Sequence, residues 1–200
     1  MNDLLKAIQK RILYDTTYLG IKICKNPFDL FKYQEIIFNT SPGVILEIGT
    51  GAGGSTLWLA NLCGIIGKGI VISIDVDQKR VTEQVRKHGR IILIEGDATK
   101  VRNQVLTYVF PEENIMVIED SSHEYDNTLS LLKLYSSLLK IGDYFIVEDT
   151  ICHHGLSEGP SPGPFEAVEM FLRDNPNFES DRKIEPEISW NPTGYLKRVG

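Results

Sequence analysis

With 200 residues, 42% of them hydrophobic, the chain is long enough for one domain with a sizeable core. A formal net charge of −6 offers no basic face of the kind nucleic acid demands, so no nucleic-acid partner is expected. No apolar run is long enough to span a bilayer, Met1–Lys6 lacks the apolar stretch of a secretory signal, and Cys24, Cys63 and Cys152 form no C-x-x-C pair. Neither a zinc site nor a disulfide framework is indicated, and a cytoplasmic, membrane-free location with reduced thiols is expected.

Residues 3–19 carry Leu4, Leu5, Ile8, Ile12 and Leu13 near helical spacing, and Phe28–Asn39 carries Phe31, Ile36, Ile37 and Phe38. Two helices are predicted there, an N-terminal helical region over residues 1–40 that packs on the fold, caps a ligand site or joins copies in a homo-oligomer. Val44–Ile48 then reads as a buried parallel strand, and Ser55–Leu62 as a helix. Ile70–Ile74, ending at Asp75, is a second strand, followed by a helix over 77–87. Ile91–Ile94 is a third, ending in Glu95-Gly96-Asp97-Ala98, with a helix over 100–109. Asn114–Ile118, ending in Glu119-Asp120, is a fourth, and an amphipathic helix over 124–139 follows. Tyr144–Val147 is a fifth, ending in Glu148-Asp149. Residues 155–164 hold too many glycines and prolines for regular structure and read as a lid loop. A helix over 165–173 and two strands, 178–184 and 195–199, complete the pattern. The alternation predicts a single α/β domain: a doubly wound, Rossmann-like, mostly parallel seven-stranded sheet. The last two strands are too close in sequence for a crossover and form an antiparallel hairpin.

Between the first strand and its helix lies Glu47-Ile48-Gly49-Thr50-Gly51-Ala52-Gly53-Gly54-Ser55. Glycines there admit close approach of backbone to a ligand, and a helix start offers free N–H groups. Gly49, Gly51 and Gly54 fit the dinucleotide pattern G-x-G-x-x-G, whereas Glu47, Gly49, Gly51 and Gly53 fit the E/D-x-G-x-G-x-G pattern of S-adenosylmethionine methyltransferases. The turn alone leaves an NAD-dependent oxidoreductase and a non-catalytic S-adenosylmethionine-binding module open. The first of these needs a substrate domain for which the chain has no room. Asp75 ends the second strand where an acid accepts ribose hydroxyls, and Asp97 with the Ala98 backbone is placed for an adenine ring.

The ends of the fourth and fifth strands carry a second signal. Those strands are expected side by side, about 5 Å apart, so Asp120, Glu148 and Asp149 converge. Three uncompensated carboxylates repel, and a hard divalent cation such as Mg²⁺ relieves them. His123 follows Asp120 by three positions, and histidine titrates near neutral pH, which suits a general base for a hydroxyl proton.

These residues resemble the metal-dependent class I S-adenosylmethionine O-methyltransferases, in particular the cephalosporin hydroxylase/rhamnosyl O-methyltransferase family. The resemblance runs from about Val44 to Val199. It rests on Glu47-Ile48-Gly49-Thr50-Gly51, Ile74-Asp75, Asp120-Ser121-Ser122-His123, Val147-Glu148-Asp149-Thr150 and Gly163-Pro164-Phe165-Glu166-Ala167-Val168. It implies S-adenosylmethionine bound by Glu47, Gly49, Thr50, Gly51, Gly53, Ser55, Asp75, Asp97, Ala98 and Asp120. It also implies Mg²⁺ on Asp120, Glu148 and Asp149, and a small-molecule hydroxyl acceptor such as a sugar, phenol or natural product. In the related catechol O-methyltransferases a lysine base stands where this chain has His123. The hydroxylase half of the name does not carry over, since no 2-His-1-carboxylate iron pattern is evident.

Overall fold

The structure, a computed structural model, describes residues 10, 15–110, 113–156 and 158–200. The predicted helix over 3–19 lies mostly outside the described residues, and its last part is corrected: Thr17–Tyr18 (β1) and Ile21–Lys22 (β2) pair antiparallel. Leu19 and Gly20 between them both have positive φ, 48° and 83°. A two-residue turn of that hand matches the twist of the strands it joins. The second predicted helix is present as Pro27–Thr40 (α1). The Asn26 side chain accepts the Phe28 N–H at 3.0 Å, Pro27 takes the first turn, and Ser41 ends the helix in the left-handed region.

The expected seven-stranded sheet is present. Val44–Ile48 (β3) pairs in parallel with Ile70–Asp75 (β4) and with Ile115–Glu119 (β6). Ile91–Glu95 (β5) flanks β4, and Tyr144–Val147 (β7) flanks β6. Tyr195–Arg198 (β9) is antiparallel to both β7 and Phe178–Ser180 (β8), giving the order β5-β4-β3-β6-β7-β9-β8.

Side chains alternate along β3. Val44, Leu46 and Ile48 enter one apolar layer and Ile45 enters the other. The first layer packs Tyr125–Tyr135 (α5) and Pro164–Asp174 (α6) through Leu131, Leu132, Tyr135, Val168 and Phe171. The second packs α1 and Gly54–Ile66 (α2) through Tyr33, Ile36, Ile37, Leu59 and Ala60. Both faces of the central strands are covered, which is why they read as unbroken apolar runs.

Three helices are shorter than the sequence predicts. Only Glu83–Arg86 (α3) forms in 77–87, and only Arg102–Leu106 (α4) in 100–109. Polar side chains capture the backbone upstream of each: Asp77 accepts the Lys79 N–H at 2.9 Å, and Asp97 accepts the Thr99 N–H at 2.9 Å. The helix predicted over 124–139 ends at Tyr135 and tightens into a 3₁₀ turn, Ser136–Leu138. Among the described residues, no helix is long and apolar enough to cross a membrane.

Candidate active site

Strand order reverses between β3 and its two neighbours, and a crevice opens at the carboxyl ends of such strands. Here it is a cavity of about 600 Å³, floored by the Gly49–Ala52 turn and the first residues of α2. Asp75 and Val76 line one side, Gly96, Asp97 and Ala98 the far end, and Asp120, Ser121 and Ser122 the other side. Residues 22–25, leading out of the β1–β2 pair, also line it.

The turn is glycine for a geometric reason. Gly49 has φ 107°, and a Cβ there would stand 1.9 Å from the Asp120 carbonyl oxygen. Gly54 is also tight, with the Lys22 carbonyl oxygen 2.3 Å from its would-be Cβ. The Gly51 N–H donates to Asp75 Oδ2 at 2.8 Å, which ties the turn to the end of β4. Gly49, Thr50, Gly51, Ser55, Asp75, Asp97, Ala98 and Asp120 all line the cavity.

Two residues expected at the cofactor, Gly53 and Glu47, do not line this cavity. Gly53 caps α2 in the left-handed region and backs onto Val85. Glu47 is fully buried beneath the turn, where it accepts from Ser73 Oγ at 2.7 Å and from the Thr56 hydroxyl. Burial pushes its carboxyl up, and Oε1 has no partner among the described residues. Asp97 is held by Thr99 Oγ1 at 2.6 Å and by Lys100 at 3.0 Å, which draw its carboxyl down to about 2. The Ala98 carbonyl accepts from the Tyr135 hydroxyl at 2.7 Å.

Asp120 follows β6 directly, and Glu148 and Asp149 follow β7. His123 Nε2 lies 3.7 Å from Asp120 Oδ1 and 3.4 Å from Asp149 Oδ2. One donor atom from each of these three residues falls within 4.8 Å of the others. Both His123 and Asp149 reach this position through positive φ, 57° and 53°. The Asp149 N–H is anchored on Asn191 Oδ1 at 3.0 Å. His123 Nδ1 is buried without a partner among the described residues.

Glu148 is adjacent but turned to other partners. Its Oε1 accepts from the Tyr33 hydroxyl at 2.9 Å, and its Oε2 lies 2.7 Å from Lys25 Nζ. Lys25 Nζ also pairs with Asp120. Burial and then Asp120 push the Glu148 carboxyl well above the usual range, with Lys25 opposing. Burial also pushes Asp149 up to about 6, against the pull of His123. Burial would strip the proton from Lys25, but Asp120, Glu148 and Glu47 more than offset it and hold the ammonium above the usual lysine range.

Lys25, Tyr33 and Asn191 are the residues that sequence reasoning missed. Asn191 Nδ2 donates to the Tyr33 hydroxyl at 2.7 Å. Asp29 accepts from the Tyr195 hydroxyl at 2.6 Å, Ser189 Oγ at 2.7 Å and the Trp190 N–H at 2.9 Å. This buried polar chain fastens α1 and the 189–191 segment to the acids. The one local signal is Asn26-Pro27, a helix start that puts Lys25 at the mouth of α1. His153 Nε2 is engaged within its own loop by the Gly159 carbonyl at 2.9 Å, whereas His154 docks on the start of α6, stacked on Phe165 and 2.8 Å from Glu166 Oε1.

Oxygen donors with one imidazole suit a hard or borderline divalent cation. A cavity of this volume suits a nucleoside-sized ligand. Asp120 belongs to both places, so a group held by the acids would stand at the rim of the cavity.

A sequence model of the family described as Rhamnosyl O-methyltransferase/CmcI matches residues 10–199. The chain is 34% identical over 192 residues to the rhamnosyl O-methyltransferase of Mycobacterium tuberculosis (strain ATCC 25618 / H37Rv), covering 92% of this chain and 78% of that protein. It is 35% identical to the protein of the same name from Mycobacterium leprae (strain TN), covering 92% and 83%. A solved CmcI structure described with Mg and SAM superposes with a TM-score of 0.74 at 26% identity, covering 92% of this chain and 77% of that one.

Proposed function

The chain belongs to the Rhamnosyl O-methyltransferase/CmcI family and is an S-adenosylmethionine-dependent O-methyltransferase, and from that premise we propose that it methylates a sugar hydroxyl of a small molecule. In this reading Asp120, Glu148 and Asp149 hold Mg²⁺ and His123 takes the acceptor's proton. Family membership removes the NAD-dependent oxidoreductase that the glycine turn alone leaves open. The observation that carries the reading is Asp120, which lines the cofactor-sized cavity and also stands within 4.8 Å of donor atoms on His123 and Asp149.

S-adenosylmethionine supplies the electrophilic methyl group. A bound divalent ion supplies Lewis acidity that favours the ionised hydroxyl. The chain's own work is alignment and enclosure. Asp75 accepts ribose hydroxyls at the end of β4, and Thr50, Gly51 and Ser55 face the rest of the cofactor. His123 receives the hydroxyl proton at Nε2, the ring nitrogen that faces Asp149 at 3.4 Å and Asp120 at 3.7 Å, and those carboxylates stabilise the imidazolium that results. Residues 155–164 close over the acceptor as a lid. The apolar stripe of Phe28, Phe31 and Phe38 on the outer side of α1 supports a homo-oligomer. Cys24, Cys63 and Cys152, scattered along the sequence with no C-x-x-C pair, support a cytoplasmic location.

One observation favours a second ligand set. Both Glu148 oxygens already have partners, whereas His123 Nε2 faces Asp120 and Asp149. His123 would then be the third ligand and Glu148 the counter-charge of Lys25. Titration of Mn²⁺ into His123→Asn and Glu148→Gln separates the two, since the true ligand is the one whose loss weakens ion binding.

The test of function is incubation with S-adenosylmethionine, Mg²⁺ and an aryl rhamnoside, with product mass read by mass spectrometry. A gain of one methyl group is expected. Chelator or Asp120→Ala should abolish it, while calorimetric binding of S-adenosylmethionine persists. Full turnover in chelator would remove the ion from the reaction. Methylation of simple phenols but of no sugar would move the acceptor class.

A further inference from the structure

The proposed reaction gives no task to the buried ammonium of Lys25. Lys25 is 3% exposed, and its ammonium stands between two carboxylates: it pairs with Asp120, and Glu148 Oε2 is 2.7 Å away. The two acids come from neighbouring parallel strands, β6 and β7. Lys25 comes from a third place, the 22–25 segment that lines the cofactor cavity. Burying an ammonium is unfavourable unless it is paired, and here two partners hold it.

A divalent cation that draws on Asp120 must therefore contend with a positive charge already there. The two cations would repel at short range in a site that salt screens poorly. Lys25 is next to the Asn26 cap of α1, so its backbone is fixed while its side chain has four rotatable bonds by which to withdraw.

We propose that Lys25 is the resident counter-cation of the acidic site: it holds Asp120 and Glu148 when no ion is bound, yields Asp120 when one binds, and thereby sets the ion affinity. The proposal rests on the reading of Asp120 as an ion ligand. Because Lys25 also belongs to the cavity lining, its withdrawal ties ion binding to the wall that faces S-adenosylmethionine.

The test is calorimetric titration of Mg²⁺ and of Mn²⁺, without cofactor, into the unaltered chain, Lys25→Gln and Lys25→Arg, each first checked for a cooperative unfolding transition. Lys25→Gln is expected to bind the ion about tenfold tighter, because a like charge has gone. Lys25→Arg, which keeps the charge, is not expected to tighten. Equal or weaker binding by a folded Lys25→Gln overturns the proposal. A second measurement needs no variant: the unaltered chain is labelled with acetic anhydride and its peptides weighed. Lys25 should be protected without ion and react several-fold faster at saturating Mg²⁺; protection that the ion leaves unchanged overturns the proposal. If the unaltered chain binds no divalent ion, the reading of Asp120 falls and the proposal with it. Ion binding with no response at Lys25 overturns the proposal alone.

Discussion

Replacing Tyr33 with Phe removes a single oxygen from a fully enclosed polar chain. The hydroxyl donates to Glu148 Oε1 at 2.9 Å and accepts from Asn191 Nδ2 at 2.7 Å. The ring itself, tilted against Tyr195 at 6.2 Å between centroids, keeps its packing. A hydrogen bond to a charged partner is worth about 1.5–3 kcal/mol, and a buried donor left without a partner costs about 1–3 kcal/mol. The two effects share one oxygen, so the expected loss is about 2–4 kcal/mol rather than their full sum. For a chain of this size each kcal/mol lowers Tm by about 2–4 °C, which gives a fall of about 4–16 °C. Urea unfolding should show a lower midpoint at unchanged slope, the sign of lost stability rather than an altered unfolded state. Combining Tyr33→Phe with Asn191→Ala should lose less than the two single changes added together, since both break the same bond. A loss below about 0.5 kcal/mol, within the range of an ordinary surface change, would show that this chain does not fasten α1 to β7, and the reasoning would fail.

Four further outcomes are expected. Burial holds the Asp149 carboxyl up to about 6, so it keeps its proton to higher pH than usual, and that proton must leave before a cation can bind. Calorimetric ion affinity should be level above about pH 7 and fall by up to about tenfold per pH unit below about 6; affinity unchanged down to pH 5 would refute the assignment of Asp149. By the same sign, the folded chain binds more protons there than the unfolded one, so this group's contribution to metal-free stability declines as pH rises through about 6. Gly49→Ala should cost about 3 kcal/mol or more by thermal unfolding, because its Cβ would meet backbone at 1.9 Å at φ 107°. Gly51→Ala, with φ 56° and nothing within 4 Å, should cost only about 1–2 kcal/mol, and equal losses at the two sites would refute the steric argument. Asp75→Asn should weaken S-adenosylmethionine binding about 10- to 100-fold, the value of charge-assisted hydrogen bonds to ribose; unchanged calorimetric affinity would remove Asp75 from the cofactor.

The sheet was legible because its strands are buried on both faces. Ile70-Val71-Ile72-Ser73-Ile74 has no polar alternation to obscure it, and Asp75 punctuates its end. The strand-end acids were legible for the same reason: a carboxylate straight after such a run must stand at the carboxyl edge of the sheet. The partners of those acids were not. Lys25 lies 95 positions from Asp120, and Tyr33 lies 115 from Glu148. Only the folding of α1 against the sheet brings them together, and helical spacing within 28–39 does not single out Tyr33. The β1–β2 pair was hidden by the apolar spacing upstream of it, although Gly20 and the β-branched Thr16 and Thr17 were its local signs. Helix ends were misread wherever an aspartate side chain, as at Asp77 and Asp97, competed for the first N–H groups.

The position of β9 between β7 and β8 bears on how this protein would aggregate. Tyr144-Phe145-Ile146-Val147 is an uncharged, β-prone tetrapeptide with β6 on one flank and β9 on the other. Should β9 detach on warming, β8 goes with it, and that tetrapeptide becomes a bare hydrogen-bonding rim able to recruit the same rim of another molecule. Asp143 and Glu148 bracket it and repel such stacking while ionised. Turbidity on heating should therefore increase as the solution is acidified, ahead of complete melting.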